Sequence, residues 1–300
     1  MRLIRVREDF SKVKPCINLY PIGDTHLGAV DTDEAALRAD IKKIEEDPSA
    51  RIVFMGDSGD CITHRDPRFA AGMWSQRYVE AMHHEGGVIT ETVEHVAELF
   101  EPVKDKVWAW ISGNHERTIR KHTDREIGNE ICALLGIQSK YLGYGGFIRV
   151  DWYRSSSRAA GAHTVTIIDA MHGWQGGRRS GAKLNQMEVE LSYTDADVIL
   201  RGHSHDRVAQ VVQSLRVAHG GVQDWPRVIA HTGTYKQGWT DTGSAETHDT
   251  WEETKGFRKR GSATTGPPVI TIIPTLTLDR PSRVAGNGTL KASVNYEVRV

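Results

Sequence analysis

Five short blocks rich in glycine, aspartate and histidine punctuate the chain between residues 23 and 205. They are Gly23-Asp24-Thr25-His26, Gly56-Asp57-Ser58-Gly59-Asp60, Gly113-Asn114-His115-Glu116, Met171-His172-Gly173 and Gly202-His203-Ser204-His205. Most of them follow directly on an apolar run of strand length, such as Ile17 to Ile22, Arg51 to Met55, Lys106 to Ile111 or Asp197 to Arg201. In open α/β sheets the loops at the carboxyl ends of strands converge on one crevice. A chain that repeats this arrangement is constrained to a fold whose strand ends gather the blocks into one site.

Between the blocks, strand-like and helix-like segments alternate. Asp31, with Glu34 three residues on, opens a helix that puts Leu37, Ile41 and Ile44 on one face and is closed by Pro48. Thr90 caps a second helix with Val93, Val96, Ala97 and Phe100 on one side. Asp124 caps a third, which carries Ile127, Ile131, Leu134 and Leu135 and stops at Gly136. Then the rhythm changes. Phe147 to Trp152 and His163 to Ala170 read as paired strands, Ala182 to Leu191 as a helix, and Asp197 to Arg201, Val208 to Val217 and Arg227 to His231 as strands. At the end Leu290, Ala292, Val294, Tyr296, Val298 and Val300 alternate with polar residues, which predicts a strand with one wet face. Strands alternating with helices, followed by strands nearly alone, predict an α/β fold: a layered sandwich of two mixed β-sheets flanked by helices.

Composition removes several function classes. Lys plus Arg at 38 against Asp plus Glu at 39 leaves no chain-wide field to draw nucleic acid or an anionic membrane, so any polyanion site must be local. The longest apolar stretch, Pro267 to Leu278, is well short of the roughly 20 residues of a membrane helix. The charged start, Met1 to Asp9, lacks the apolar segment of a secretory signal. Cys16, Cys61 and Cys132 are scattered without metal-type spacing, which predicts a reduced, cytoplasmic protein with neither a disulfide framework nor a cysteine zinc site.

Each block alone is an ordinary turn: Asp24 after a strand reads as a cap, and Gly113-Asn114 as a loop dipeptide. Together they supply Asp24, His26, Asp57, Asn114, His172, His203 and His205, and a turn has no need of histidine. Mixed imidazole and oxygen donors suit zinc, manganese or iron better than calcium or magnesium. Seven ligands are too many for one four-coordinate ion. Shared between two ions about 3.5 to 4 Å apart, they form a clamp for the attacking and leaving oxygens of phosphoryl transfer.

The ordered set from Asp24 to His205 resembles the calcineurin-like metallophosphoesterase superfamily, which includes phosphoprotein phosphatases, cyclic-nucleotide phosphodiesterases and DNA-repair nucleases. The resemblance implies a dinuclear site at the strand ends, with Asp24, His26, Asp57 and His205 on one metal and Asp57, Asn114, His172 and His203 on the other. Asp57 would bridge. It also implies that His115 donates a proton to the leaving group and that the Asp60 carboxylate orients it. Ser58 and Gly59 are smaller than the bulky pair often found in this family, which is expected to leave Asp60 less tightly held. On this reading the cofactors are two divalent ions, manganese first, with zinc, iron or nickel as alternatives. Residues 1–240 would be the catalytic domain, and 241–300 a long loop plus a strand-rich extension packed on it.

The expected activity is hydrolysis of a phosphodiester by a metal-bridging hydroxide, on nucleic acid or a nucleotide; a phosphomonoesterase acting on protein or small molecules, or a non-catalytic scaffold of the same fold, are the alternatives. Substrate phosphate would be gripped by Arg178 and Arg179, with Lys183, Arg117, Arg120 and Lys121 near by. The pattern-free segment from Lys236 to Ser262, including Trp251 to Arg260, would complete a cationic rim. His231, after a strand, is expected at the cleft; the remaining histidines are expected to be exposed or satisfied.

Overall fold

In β3 (Ala50–Met55), Ile52 and Phe54 enter a core shared with helices, while Val53 and Met55 enter a core shared with a second sheet. A strand covered on both faces has no wet side and reads as a continuous apolar run. The computed structural model that places it describes residues 1–10, 15–69, 72–154, 163–173, 180–218, 221–238, 266–279 and 289–300. β3 lies between β2 (Ile17–Ile22) and β4 (Val107–Ile111), and the short β5 (Tyr141–Gly143) follows β4; all four run parallel. On the other side of β2, β11 (Val269–Asp279) pairs antiparallel and is itself paired antiparallel to β12 (Thr289–Arg299). The first sheet is therefore β12-β11-β2-β3-β4-β5.

The second sheet contains β1 (Arg2–Phe10), β6 (Gly145–Arg154), β7 (His163–Met171), β8 (Val198–Arg201), β10 (Gly221–Thr232) and β9 (Arg207–Ala218), in that spatial order. Its β1/β6, β7/β8 and β8/β10 pairs are parallel and its β6/β7 and β10/β9 pairs antiparallel, so it too is mixed. Leu19, Val53, Ala109 and Ile111 from the first sheet meet Ile148, Trp152, Ile168, Leu200 and Val228 from the second. Outside the first sheet, α1 (Glu34–Glu46), α3 (Gly87–Phe100) and α5 (Ile127–Leu134) bury Leu37, Ile41, Val93, Phe100 and Ile131 around a Phe54–Trp110 stack with centroids 4.0 Å apart. Outside the second, α6 (Ser180–Glu190) places Met187 on Ile199 and Ile229. Two further helices, α2 (Gln76–Ala81) and α4 (Asn114–Thr123), lie in the connections after β3 and β4. The expected sandwich of two mixed sheets with flanking helices is the fold observed.

Three helix starts differ from expectation, each for a local reason. Asp33, not Asp31, caps α1, accepting from the Ala36 N–H at 2.9 Å. α3 begins at Gly87 behind a left-handed Gly86, so Thr90 lies inside its first turn. Asp124 closes α4 in the left-handed conformation rather than opening α5, which starts after Glu126. β1 was not anticipated either. Its inward positions Ile4, Val6 and Phe10 are interrupted by Glu8, which is held by Arg51 at 2.6 Å and by the Trp108 indole N–H at 3.0 Å. The alternation expected at the chain's end is present over residues 293–298, where Val294, Tyr296 and Val298 turn inward and Ser293, Asn295 and Glu297 are exposed, but Val300 is itself exposed.

Candidate metal centre

The five blocks meet where the carboxyl ends of β2, β3, β4, β7 and β8 come together. Beyond β2 and β3 the backbone stays paired, with Asp24 N–H on the Gly56 carbonyl at 2.9 Å and His26 N–H on the Asp57 carbonyl at 3.0 Å. Across the sandwich, the His203 N–H donates to Asp24 Oδ2 at 2.9 Å, which ties the second sheet's last block to the first sheet's first. Glycine is required at the closest approach. A Cβ on Gly113 would lie 2.0 Å from Asp57 Oδ1, and one on Gly56, at φ +91, would lie 2.6 Å from the Gly113 nitrogen.

Among the described residues, three groups of donor atoms lie within metal-binding reach: Asp24, His26 and His205; His26, Asp57 and His115; and Asp57, His172 and His203. His26 Nε2 is 3.1 Å from His205 Nε2 and 3.9 Å from both Asp24 Oδ1 and Asp57 Oδ2. His172 Nε2 is 3.2 Å from Asp57 Oδ2 and 3.0 Å from Asn114 Oδ1, which lies 2.7 Å from His203 Nδ1. All seven sequence-derived ligand candidates are thus brought together, with Asp57 between the two sets.

Several observations fit this donor set to cations. Asp24 Oδ1 is buried without a hydrogen bond, which is costly unless something positive meets it. His172 Nδ1–H donates to the Met55 carbonyl at 2.7 Å and His26 Nδ1–H to Asp60 Oδ1 at 3.2 Å, so both rings turn an Nε2 lone pair inward, the arrangement of a metal-ligating histidine. Asp24, His26, Asp57, His203 and His205 all hold positive φ, between 47° and 65°, a strained backbone that the packing enforces. Burial pushes His26 down to about 3, keeping it neutral as a ligand must be. Burial acts in the opposite sense on Asp57, yet His172 and His115 hold its carboxyl well below the usual range. At His172 burial is likewise outweighed: the Asp57 carboxylate pushes it up to about 10, so a cation there replaces a proton.

The surroundings of the candidate proton donor depart from expectation. His115 Nδ1 bonds to the backbone carbonyl of Asp60, and the Asp60 carboxylate is nearer to His26, at 3.2 Å, than to His115, at 3.8 Å. The Asp60 carboxylate lies on His26 instead, and the residue after it, Cys61, has φ 50°. Asp60 Oδ1 also meets Lys236 Nζ at 3.2 Å, and that lysine reaches Asp31 Oδ1 at 3.5 Å. The Lys236 side chain, 12% exposed, is therefore held between Asp60 and Asp31.

Three residues have contacts at the site that the sequence reading did not give them. Lys236 is one. Glu116 is another: its buried carboxylate accepts from the N–H groups of Gly113 at 2.8 Å, Asp57 at 3.2 Å and Ser58 at 2.6 Å, clamping the loops after β3 and β4. Arg68 is the third, with Nη1 2.9 Å from His115 Nε2. The glutamate could have been found, since Gly113-Asn114-His115-Glu116 places an acid at the third position of a helix, where it bonds back to the helix start; a lone arginine or lysine in a loop carries no such signal.

Of the basic residues expected on phosphate, Arg120 pairs with Glu126 at 2.5 Å and Lys183 is buried against Asp206, while Arg117 lies over the Tyr144 ring at 5.8 Å. Arg178, Arg179 and the segment from Trp251 to Arg260 lie outside the described residues. His231 lines a cavity of about 350 Å³ beside His203, Gly173 and Met171, with its Nδ1 3.0 Å from Ser204 Oγ.

The calcineurin-like phosphoesterase family model matches residues 18–207, which is more than half of the chain and takes in all five blocks. The chain belongs to this family. Among solved structures it is similar to Vps29 from Cryptosporidium parvum, at 12% identity and TM-score 0.33 over 96% of this chain and 100% of that one. It is also similar to Vps29 from Entamoeba histolytica complexed with Zn2+, at 10% identity and TM-score 0.34 over 93% and 99%. A predicted phosphoesterase from Streptococcus pneumoniae TIGR4 matches at 12% and 0.29 over 93% and 99%. At such identities and scores these likenesses carry no chemistry across to this chain. No curated protein sequence matches it significantly.

Proposed function

We propose that this metallophosphoesterase is a two-metal-dependent phosphodiester hydrolase. The observation that carries the reading is the convergence of two donor sets on one carboxylate: Asp24, His26 and His205 on one side of Asp57, and Asn114, His172 and His203 on the other. Two divalent ions held there would supply water of lowered pKa and offset the charge that gathers on a phosphate under attack. The chain's own residues do the rest. Met55 and Asp60 fix the His172 and His26 rings through Nδ1–H, so that in each ring Nε2 is the nitrogen turned toward the other donors. Glu116 holds the Asp57 backbone in place. His115, whose Nδ1 is tied to the Asp60 carbonyl while its Nε2 lies 3.9 Å from Asp57 Oδ2, is assigned to proton delivery at the leaving oxygen.

Arg178 and Arg179 lie outside the described residues and Arg120 and Lys183 are paired with carboxylates, so the proposed substrate is a phosphate diester as a class, with manganese as the first metal to try. A phosphomonoesterase uses the same clamp, and substrate comparison separates the two. Manganese-loaded protein is expected to hydrolyse bis-p-nitrophenyl phosphate faster than p-nitrophenyl phosphate. The reverse order favours the monoesterase, and no turnover of either removes the hydrolase reading. His115→Ala should lower turnover about 10²- to 10⁴-fold on a diester with a poor leaving group, and less with nitrophenolate, which leaves without proton help.

A further inference from the structure

Residues 62–69, after β3, contain none of the five blocks, yet they bring a guanidinium into the site. Arg68 Nη1 lies 2.9 Å from His115 Nε2. Since the other ring nitrogen of His115 donates to the Asp60 carbonyl, Nε2 is the acceptor and Arg68 sits on its lone pair, at the ring edge that faces Asp57. The guanidinium does not arrive there by chance of a flexible chain. Its Nε and Nη2 donate to Asp66 Oδ1 and Oδ2 at 2.9 and 2.7 Å, a two-point fork that fixes the plane and aims Nη1.

The loop that carries this pair is itself built. The Asp66 N–H bonds to the Thr63 carbonyl at 2.8 Å, the Phe69 N–H to the Asp66 carbonyl at 3.0 Å, and the Arg68 N–H to Asp66 Oδ1 at 2.8 Å. The Trp74 indole N–H reaches the Ile62 carbonyl at 3.0 Å, and the rings of His64, Phe69 and Trp74 pack together with centroids 4.2 to 5.3 Å apart. Asp66 is buried, and the Arg68 side chain keeps 28% of its surface exposed. An arginine needed only to neutralise Asp66 has no reason to extend its third nitrogen to an imidazole. The planar fork suits phosphoryl oxygens, and donors fixed before the ligand arrives cost nothing to organise when it binds.

We propose that Arg68 is a phosphate-binding residue of this site: when a phosphate ester enters, Nη1 exchanges His115 Nε2 for a non-bridging phosphoryl oxygen, and the freed Nε2 takes up a proton from solvent and so faces the leaving oxygen as an acid. This rests on the phosphodiesterase reading, and the test separates the two. Inorganic phosphate is titrated into manganese-loaded wild type, Arg68→Ala, Arg68→Lys and Asp66→Asn by calorimetry, with metal content measured alongside. Arg68→Ala is expected to bind phosphate about 10- to 100-fold more weakly, the loss of one charged hydrogen-bonding partner, with metal content unchanged. Arg68→Lys, which keeps the charge but not the fork, should fall between, and so should Asp66→Asn. If Arg68→Ala fails to fold, the lysine variant decides: phosphate affinity within twofold of wild type overturns the assignment. So does a wild type that binds no phosphate. A residue acting only through His115 would lower kcat and leave phosphate affinity and KM alone, which also overturns it. A wild type that hydrolyses the diester while both arginine variants keep full phosphate affinity loses the Arg68 site alone. A wild type that binds phosphate through Arg68 but hydrolyses no ester keeps the anion site and loses the hydrolase reading alone.

Discussion

His231 illustrates how a buried histidine beside the candidate centre sets the pH response of the fold. It is buried, and its Nδ1 lies 3.0 Å from Ser204 Oγ. Burial first, and the Lys183 ammonium second, push it down to about 4. In the unfolded chain a histidine titrates near 6.5, so between about 6.5 and 4 the unfolded state takes up a proton that the folded state refuses. The stability tied to this residue is therefore complete above about pH 6.5 and is lost as the pH falls toward 4. At pH 5 roughly 1.5 units of that window have been crossed, a loss of about 2 kcal/mol. Urea unfolding at pH 7 and pH 5 should show His231→Gln losing about 2 kcal/mol less than wild type over that interval. Equal losses in the two proteins would mean that His231 is not held neutral. The candidate donors could be named residue by residue because Asp, His and Asn offer ligand atoms and the spacing of the blocks repeated a strand-end pattern. Arg68 and Lys236 were not legible, since their roles come from loops folding back over 47 and 176 residues, respectively, and no local periodicity records that.

At the level of elements, α4 shows why the centre sits where it does. Only Ile119 gives this helix an apolar anchor, so its hydrophobic pattern is faint and the sequence reading passed over it to Asp124. What holds it is polar: the Glu116 carboxylate, in its first turn, collects the N–H groups of Gly113, Asp57 and Ser58 together with the Ser58 hydroxyl. Burial, with the Asp57 charge adding to it, raises the Glu116 pKa, and the Ser58 bonds work against that rise. Glu116→Ala would leave these buried donors without a partner, at about 1–3 kcal/mol for each group that water cannot reach. We expect Glu116→Ala to lower the urea midpoint by the equivalent of several kcal/mol and to release metal, with Glu116→Gln milder because an amide oxygen still accepts. An unfolding curve matching wild type for the alanine variant would show that the clamp contributes nothing. β1 was hidden for a related reason: an inward glutamate, satisfied by Arg51 and Trp108, breaks a pattern that expects only apolar residues inside. The two-sheet sandwich itself was legible from the change in rhythm after residue 140, because strands covered on both faces and strands with one wet face carry different patterns.

Across the whole molecule, the candidate ligands are divided between the two sheets. Asp24, His26, Asp57 and Asn114 follow strands of the first, and His172, His203 and His205 follow strands of the second. Ions held by both sets would act as a staple at one end of a sandwich whose middle is closed by apolar packing that includes Leu19, Val53, Ile168, Leu200, Ile270 and Ile272. The two contributions should separate experimentally. Metal binding to the folded state stabilises by mass action, about 4 kcal/mol at a thousandfold excess over Kd, and the gain rises with metal concentration. Core packing does not depend on metal: Ile272→Ala, at a fully buried position of β11, should cost about 2–5 kcal/mol through lost transfer energy and the cavity left behind. Thermal unfolding followed by tryptophan fluorescence should then give four distinct curves. Wild type should melt higher with manganese than with a chelator, and Ile272→Ala should melt lower than wild type in both conditions by about the same amount, since the substituted side chain belongs to the core and not to the ligand set. A wild-type Tm that is the same with manganese and with chelator would show that no ion joins the sheets. A manganese shift that disappears in Ile272→Ala would show instead that the staple and the core are one cooperative unit, with the strand ends held in register by the packing of β11, a strand of the first sheet, against the second.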